Sequence, residues 1–152
     1  GCGKRGCLEA VASRLYIASA AAAAAFRGEA PYLMAKTGCD VSAIKSGALA
    51  ASILAGDKAV EKIVRQAARW LGVGVANVVN LLAPDVVVLG GGLVEAMPDL
   101  YLDEVGSTAA GRVMAGYEKV FKVVAAKLAD DATAIGAASW CKTVVESIAV
   151  KQ

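Results

Sequence analysis

The stretch AGDKAVEKIVRQAARWLGVGVANVVNLLAPDVVVLGGGL, residues 55–93, restricts the possible folds more than any other part of this 152-residue chain. Val60, Ile63, Val64, Ala67, Leu71, Val75, Val78, Val79 and Leu82 recur at helical spacing. Lys58, Glu61, Lys62, Arg65 and Arg69 occupy the opposite face, but only at the start. Beyond Arg69 the segment is apolar nearly all round, which predicts a long helix buried along its second half. Gly72 and Gly74 would each cost such a helix about 1 kcal/mol relative to Ala. Something must therefore approach closely there, and a second helix is favoured over a ligand. Pro84 stops the helix. DVVVLGGG then reads as a strand, apolar at every position and bounded by Pro and Gly. Continuous apolarity predicts a strand covered on both faces, as in a parallel sheet.

The flanking segments are organised around this unit. Leu8 to Phe26 reads as one Ala-rich helix, which Gly28 and Pro31 end or restart. TGCDVSAIKSGALAASILAGD predicts a second helix with Asp40 as its N-cap and Val41, Ile44, Ala48 and Leu49 as its apolar stripe. Gly56 closes it, and Asp57 is the candidate cap of the long helix. Pro98 opens a helix within residues 97–114. KVFKVVAAKL reads as a second strand, and Asp131 caps a final helix running to about Val150. Strand, helix, strand implies a parallel crossover. No linker or repeat divides the chain.

Composition excludes several classes of function. There is no His, so a His general base, a Ser-His-Asp triad and a His metal ligand cannot come from this chain. Net charge is +2 with Lys and Arg scattered, which does not describe a nucleic-acid face. The longest uncharged run, Trp70 to Pro84, falls short of the roughly 18 to 20 apolar residues of a spanning helix. No secretory signal is visible, and the absence of an initiator Met suggests a cut or processed chain. The four cysteines, in a long chain without a secretion signal, do not suggest a disulfide framework.

Three features carry candidate chemistry. VVVLGGGLVE places glycines after a buried strand, where the backbone can come close to a ligand. A dinucleotide fingerprint would need Gly at Glu95, so that reading fails, and a plain strand-to-helix turn has equal weight. Cys2 and Cys7 in CGKRGC could share a metal, but two ligands do not complete a structural zinc site. Taken alone, two unpaired thiols are the better reading. Glu9 stands in the first turn of a helix, where the dipole favours a carboxylate for purely structural reasons.

Together these pieces resemble the ROK family of sugar kinases and sugar-responsive regulators. Its signature, Cys-x-Cys-Gly-x-x-Gly-Cys-x-Glu followed by a small-residue helix with Ser, is matched by Cys2, Gly3, Gly6, Cys7, Glu9 and Ser13. Residues 55–93 resemble the family's long helix and nucleotide-side strand through Gly72, Gly74, Asn77, Asn80, Pro84 and Gly90 to Gly92. DATAIGAASW resembles its last helix. The resemblance implies an actin-like (ribonuclease H-like) α/β fold, helix-rich, with residues 1–152 as the C-terminal lobe only. It also implies sugar binding by Glu9 and nucleotide binding by Gly90, Gly91, Gly92 and Leu93. Cys2 and Cys7 would be half of a structural zinc site whose other ligands lie upstream, and no zinc is expected in this chain. The family's phosphate loop and catalytic Asp also belong to the N-terminal half, so no catalytic residue is assigned.

The expected function is ATP- and Mg-dependent phosphorylation of a hexose or N-acetylhexosamine by the intact protein, with this chain alone inactive. The implied setting is a cytoplasmic homo-oligomer that contacts neither membrane nor, through this chain, nucleic acid. Two alternatives remain: the sugar-sensing half of a ROK transcription regulator, or a lobe that binds nothing and serves in oligomer contacts.

Overall fold

The structure, a computed structural model, describes residues 3–149. Eight α-helices and two strands follow one another along these residues: α1 (Glu9–Ala12), α2 (Arg14–Phe26), α3 (Pro31–Thr37), α4 (Ser46–Leu54), α5 (Lys58–Leu82), β1 (Val86–Leu89), α6 (Gly92–Ala96), α7 (Pro98–Ala110), β2 (Lys122–Ala125) and α8 (Ala132–Ala149). A 3₁₀ turn, Ala129–Asp131, leads into α8.

The expected long helix is α5. Its buried stripe (Val60, Val64, Ala67, Ala68, Gly72, Val75, Ala76 and Val79) continues to the last turn. Its polar first half is tied to α7 by charge. Glu104 accepts hydrogen bonds from Arg65 Nη1 and Arg69 Nε, both at 2.9 Å. Burial alone would raise the Glu104 carboxyl, but the Arg69 and Arg65 guanidiniums outweigh it and hold it below the usual carboxylate range. The helix ends at Ala83, which adopts a left-handed conformation (φ 46°) just before Pro84.

The two helix glycines mark close approaches. A Cβ on Gly72 would sit 2.7 Å from Thr108 Cβ and 2.9 Å from the Val105 carbonyl oxygen, so α7 crosses there. A Cβ on Gly74 would meet Leu8 Cδ2 at 3.1 Å. Gly72 thus meets a second helix, as the sequence reading favours, whereas Gly74 meets the residue just before α1.

β1 and β2 pair in parallel, Val86 opposite Lys122 through Leu89 opposite Ala125. β2 is shorter than the expected strand over residues 119–128. The expectation that β1 is covered on both faces does not hold, because Val86 and Val88 are exposed. With two strands and its packing on the Val87 and Leu89 side, the sheet leaves its other face open.

Three local features differ from the sequence reading. The first helix is two helices: Ser13 has an extended ψ of 155°, and its Oγ accepts from Tyr16 N at 3.2 Å, capping α2. Asp40 caps no helix. Its Oδ1 accepts from Ser42 N (2.8 Å) and Ser42 Oγ (2.7 Å) in a local turn, and α4 starts only at Ser46. Asp57 precedes α5 but makes no side-chain cap there. Instead its buried carboxylate caps α3, accepting from Leu33 N (2.9 Å), Tyr32 N (3.3 Å) and Ser52 Oγ (2.6 Å). Three donors on one carboxylate are a stronger solution than a single local cap.

Two predictions follow from this packing. Gly72→Ala drives a Cβ into α7 and should destabilise by about 1–3 kcal/mol. Gly106→Ala, in α7 with nothing within 4 Å of its added Cβ, should instead stabilise by about 0.5–1 kcal/mol. Urea denaturation of both variants would show opposite shifts in midpoint. Asp57→Ala leaves three donors unanswered, two of them buried, and should cost about 3 kcal/mol in the same measurement.

Candidate functional site

The break at Ser13 organises the candidate site. On its N-terminal side Glu9 opens α1, exposed, and lines a cleft of about 520 Å³. Gly3, Lys4, Cys7, Ser13 and Tyr16 also line it. On the other side of the break Arg14 opens α2 and lines a second cleft of about 550 Å³. The consecutive residues Ser13 and Arg14 thus line different clefts, while Leu15, Tyr16 and Ser19 of α2 join Glu9 in the first. Both volumes fall in the range of about 300–1,000 Å³ common for small-molecule sites.

The second cleft contains all four residues expected at a nucleotide: Gly90, Gly91, Gly92 and Leu93. They follow β1 and lead into α6. Gly91 has φ 100° and ψ 160°, a conformation closed to residues with a Cβ. Gly92 lies close to α4, where an added Cβ would come 3.3 Å from Ser46 Oγ. Glycine thus serves both the turn and the approach of the loop to α4. The same cleft is lined by Arg14, Ser42, Lys45 and Ser46, which the sequence reading did not single out. They come from two segments about thirty residues apart, and no local pattern joins them to the glycines.

Metal ligation is less complete. Cys7 Sγ donates to the Lys4 carbonyl oxygen at 3.9 Å. Cys2, its expected partner, lies outside the described residues. Among the described residues no group of three or more His, Cys, Asp or Glu side chains could hold a metal ion. These residues alone therefore do not fit a structural zinc. Among the described residues no carboxylate lines the glycine cleft, so none there offers a ligand to magnesium. No described helix is long and apolar enough to cross a membrane.

The ROK family model matches residues 1–144. The chain belongs to the ROK family. A glucokinase from Streptomyces coelicolor (strain ATCC BAA-471 / A3(2) / M145) is 30% identical over 145 residues, covering 93% of this chain and 45% of that protein. A Caldicellulosiruptor sp. (strain Rt8B.4) protein named "Putative xylose repressor" is 31% identical over 136 residues, 89% of this chain and 33% of that one. Among solved structures, a ROK family glucokinase from Streptomyces griseus in complex with glucose and AMPPNP superposes with TM-score 0.77 at 27% identity. The match covers 91% of this chain and 45% of the glucokinase. A ROK family transcriptional regulator, a homolog of the E. coli MLC protein, superposes with TM-score 0.67 at 25% identity, over 82% of this chain and 30% of the regulator. The chain thus spans less than half the length of these relatives. Its helix-rich α/β architecture with a small parallel sheet is that of the ROK proteins, which have the actin-like ATPase fold.

The loop geometry gives a direct test. Gly91→Ala should cost about 1–3 kcal/mol, because it forces a Cβ into a glycine-only conformation. Gly90→Ala places its Cβ at an ordinary 3.5 Å from Ala126 Cβ and should be tolerated. Thermal unfolding of the two variants would separate strain from crowding.

Proposed function

We propose that this chain is the C-terminal lobe of a cytoplasmic ROK sugar kinase, with Glu9 binding a hexose-type sugar and Gly90 to Leu93 binding ATP. The observation that carries the reading is that Glu9 lines one cleft and the glycine loop another, with the consecutive residues Ser13 and Arg14 lining the first and the second. The likeness to a glucokinase solved with glucose and AMPPNP supports it.

The chemistry is that of two substrates held side by side. A carboxylate accepts from two neighbouring sugar hydroxyls and so fixes the orientation of the ring. The glycine loop lets the backbone approach the nucleotide. Phosphoryl transfer depends chiefly on such positioning and on charge stabilisation. Magnesium would arrive with the nucleotide and neutralise phosphate charge. The base that takes the proton from the attacking hydroxyl would come from the other lobe, so this lobe alone is inactive.

The second reading is the effector half of a sugar-responsive regulator. Its support is equally specific, since the repressor-named relative and the regulator structure match over most of this chain. In that case Glu9 binds sugar and no phosphate is transferred.

Hexose phosphorylation by the full-length protein, followed in a coupled assay over a panel of hexoses and N-acetylhexosamines, discriminates the two. Turnover with ATP is expected. Sugar binding without turnover would assign the regulator. Glu9→Ala should weaken sugar binding by about 30-fold or more in calorimetry, the loss of roughly 2 kcal/mol of charge-assisted hydrogen bonding. Unchanged sugar affinity in that variant would sink both readings.

A further inference from the structure

The carboxylate of Asp57 joins three elements far from any cleft. The residue is only 4% exposed. Besides the Tyr32 and Leu33 amides of α3, the carboxylate accepts from Ser52 Oγ at 2.6 Å. Ser52 is fully buried and lies in α4. The Asp57 amide also donates to the Ser52 carbonyl oxygen at 3.1 Å. One residue at the entrance to α5 therefore holds α4 by both side chain and backbone.

Among the described residues, the bond from Ser52 Oγ is the one side-chain hydrogen bond that α4 makes. The rest of α4 is held by apolar packing, with Ile44 just before it and Leu49 at its middle, both fully buried. Apolar contact is non-directional and fixes the depth of a helix better than its orientation. A hydrogen bond to a carboxylate is short and directional, so it supplies the orientation.

The other end of α4 meets the glycine loop. Ser46, its first residue, would lie 3.3 Å through Oγ from a Cβ added to Gly92. Ser46 lines the same cleft as Gly90 to Leu93, whereas neither Ser52 nor Asp57 lines it. Ser46 and Ser52 stand about 9 Å apart along the helix axis, with Leu49 midway. A short helix moves as a rigid rod, so a shift at Ser52 that turns about Leu49 appears at Ser46 in the opposite sense. Gly91 passes the shift on, because its carbonyl oxygen accepts from Val94 N (2.9 Å) and Glu95 N (3.1 Å) at the start of α6.

We propose that Asp57 is a positioning residue for the glycine loop: by holding Ser52 it orients α4, and through Ser46 it sets the wall of the nucleotide cleft. This rests on the reading that a nucleotide binds beside the loop, and it names a residue that acts there without touching the ligand. Capping α3 requires only the Tyr32 and Leu33 amides. The buried hydroxyl of Ser52 adds a bond whose effect falls on α4.

Ser52→Ala removes the tie to α4 and keeps both amide bonds to α3. Thr37→Ala removes the 2.9 Å hydrogen bond from Thr37 Oγ1 to the Leu33 carbonyl oxygen, and so loosens α3 without touching α4. In the intact protein, Ser52→Ala should raise the KM for ATP about fivefold and leave kcat and the KM for sugar within about twofold. Thr37→Ala should move none of the three. Ser52→Cys, which keeps a weaker donor, should fall between Ser52→Ala and the unaltered protein. Hydrogen exchange followed by mass spectrometry without nucleotide gives a second readout. The segment containing the Val94 and Glu95 amides should exchange about tenfold faster in Ser52→Ala and at the parent rate in Thr37→Ala.

An unchanged KM for ATP, or unchanged exchange at Val94 and Glu95, overturns the inference and leaves the nucleotide reading standing. Equal shifts in Thr37→Ala also overturn it, because general loosening then suffices. An intact protein that neither binds nor turns over ATP removes the nucleotide reading instead, and the exchange rates then decide alone whether Asp57 positions the loop.

Discussion

The approach of α7 to α5 at Gly72 is the contact on which the geometry of this lobe depends. Gly72 and Gly74 are two residues apart, so they project from α5 roughly 200° apart around the helix. One side receives α7 at Thr108 and Val105, and the other receives Leu8 at the entrance to α1. The helix is thus a spine with a different functional segment packed on each side. Through α7 it positions α6 and the glycine loop; through Leu8 it positions the first turn that carries Glu9. A side chain at either glycine would push one wall of the paired clefts away from the other. The roughly 2 kcal/mol of helix propensity forgone at the two positions is offset by the packing they permit.

The spine was legible because its evidence is local. The apolar stripe, the loss of the polar face after Arg69, the two glycines and Pro84 lie within one segment and imply one another. The parallel pairing of β1 with β2 followed from the order of elements. What was not legible depends on partners far away in sequence. Asp57 looks like the cap of the helix it precedes, and only the fold shows its carboxylate turned to α3. Its near companion Ser52 Oγ gives no hint of this arrangement. Ser13 sits in an unbroken helical pattern, and its extended backbone is set by how α1 and α2 pack against α5. Arg14 and Lys45 were invisible as a pair for the same reason. Each is an ordinary surface cation until the glycine loop is placed beside it.

Glu9 and Arg14 line different clefts, and the break at Ser13 lies between them in sequence. The cleft of Glu9 spans the break, because Leu15, Tyr16 and Ser19 of α2 line it together with Lys4 and Cys7. The angle between α1 and α2 therefore sets the shape of that cleft, and Ser13, whose Oγ caps α2, fixes where the angle falls.

The same lobe serves relatives that phosphorylate sugars and relatives that regulate transcription, so the fold does not choose between the two roles. What differs between the two roles is the demand placed on the glycine loop. Phosphoryl transfer requires a nucleotide, whereas sensing a sugar does not. The positive φ of Gly91 and the approach of Gly92 to Ser46 serve the turn and the packing on α4 in either case. The loop's geometry is therefore common ground, and the choice between the roles lies in the residues that the other lobe brings to it.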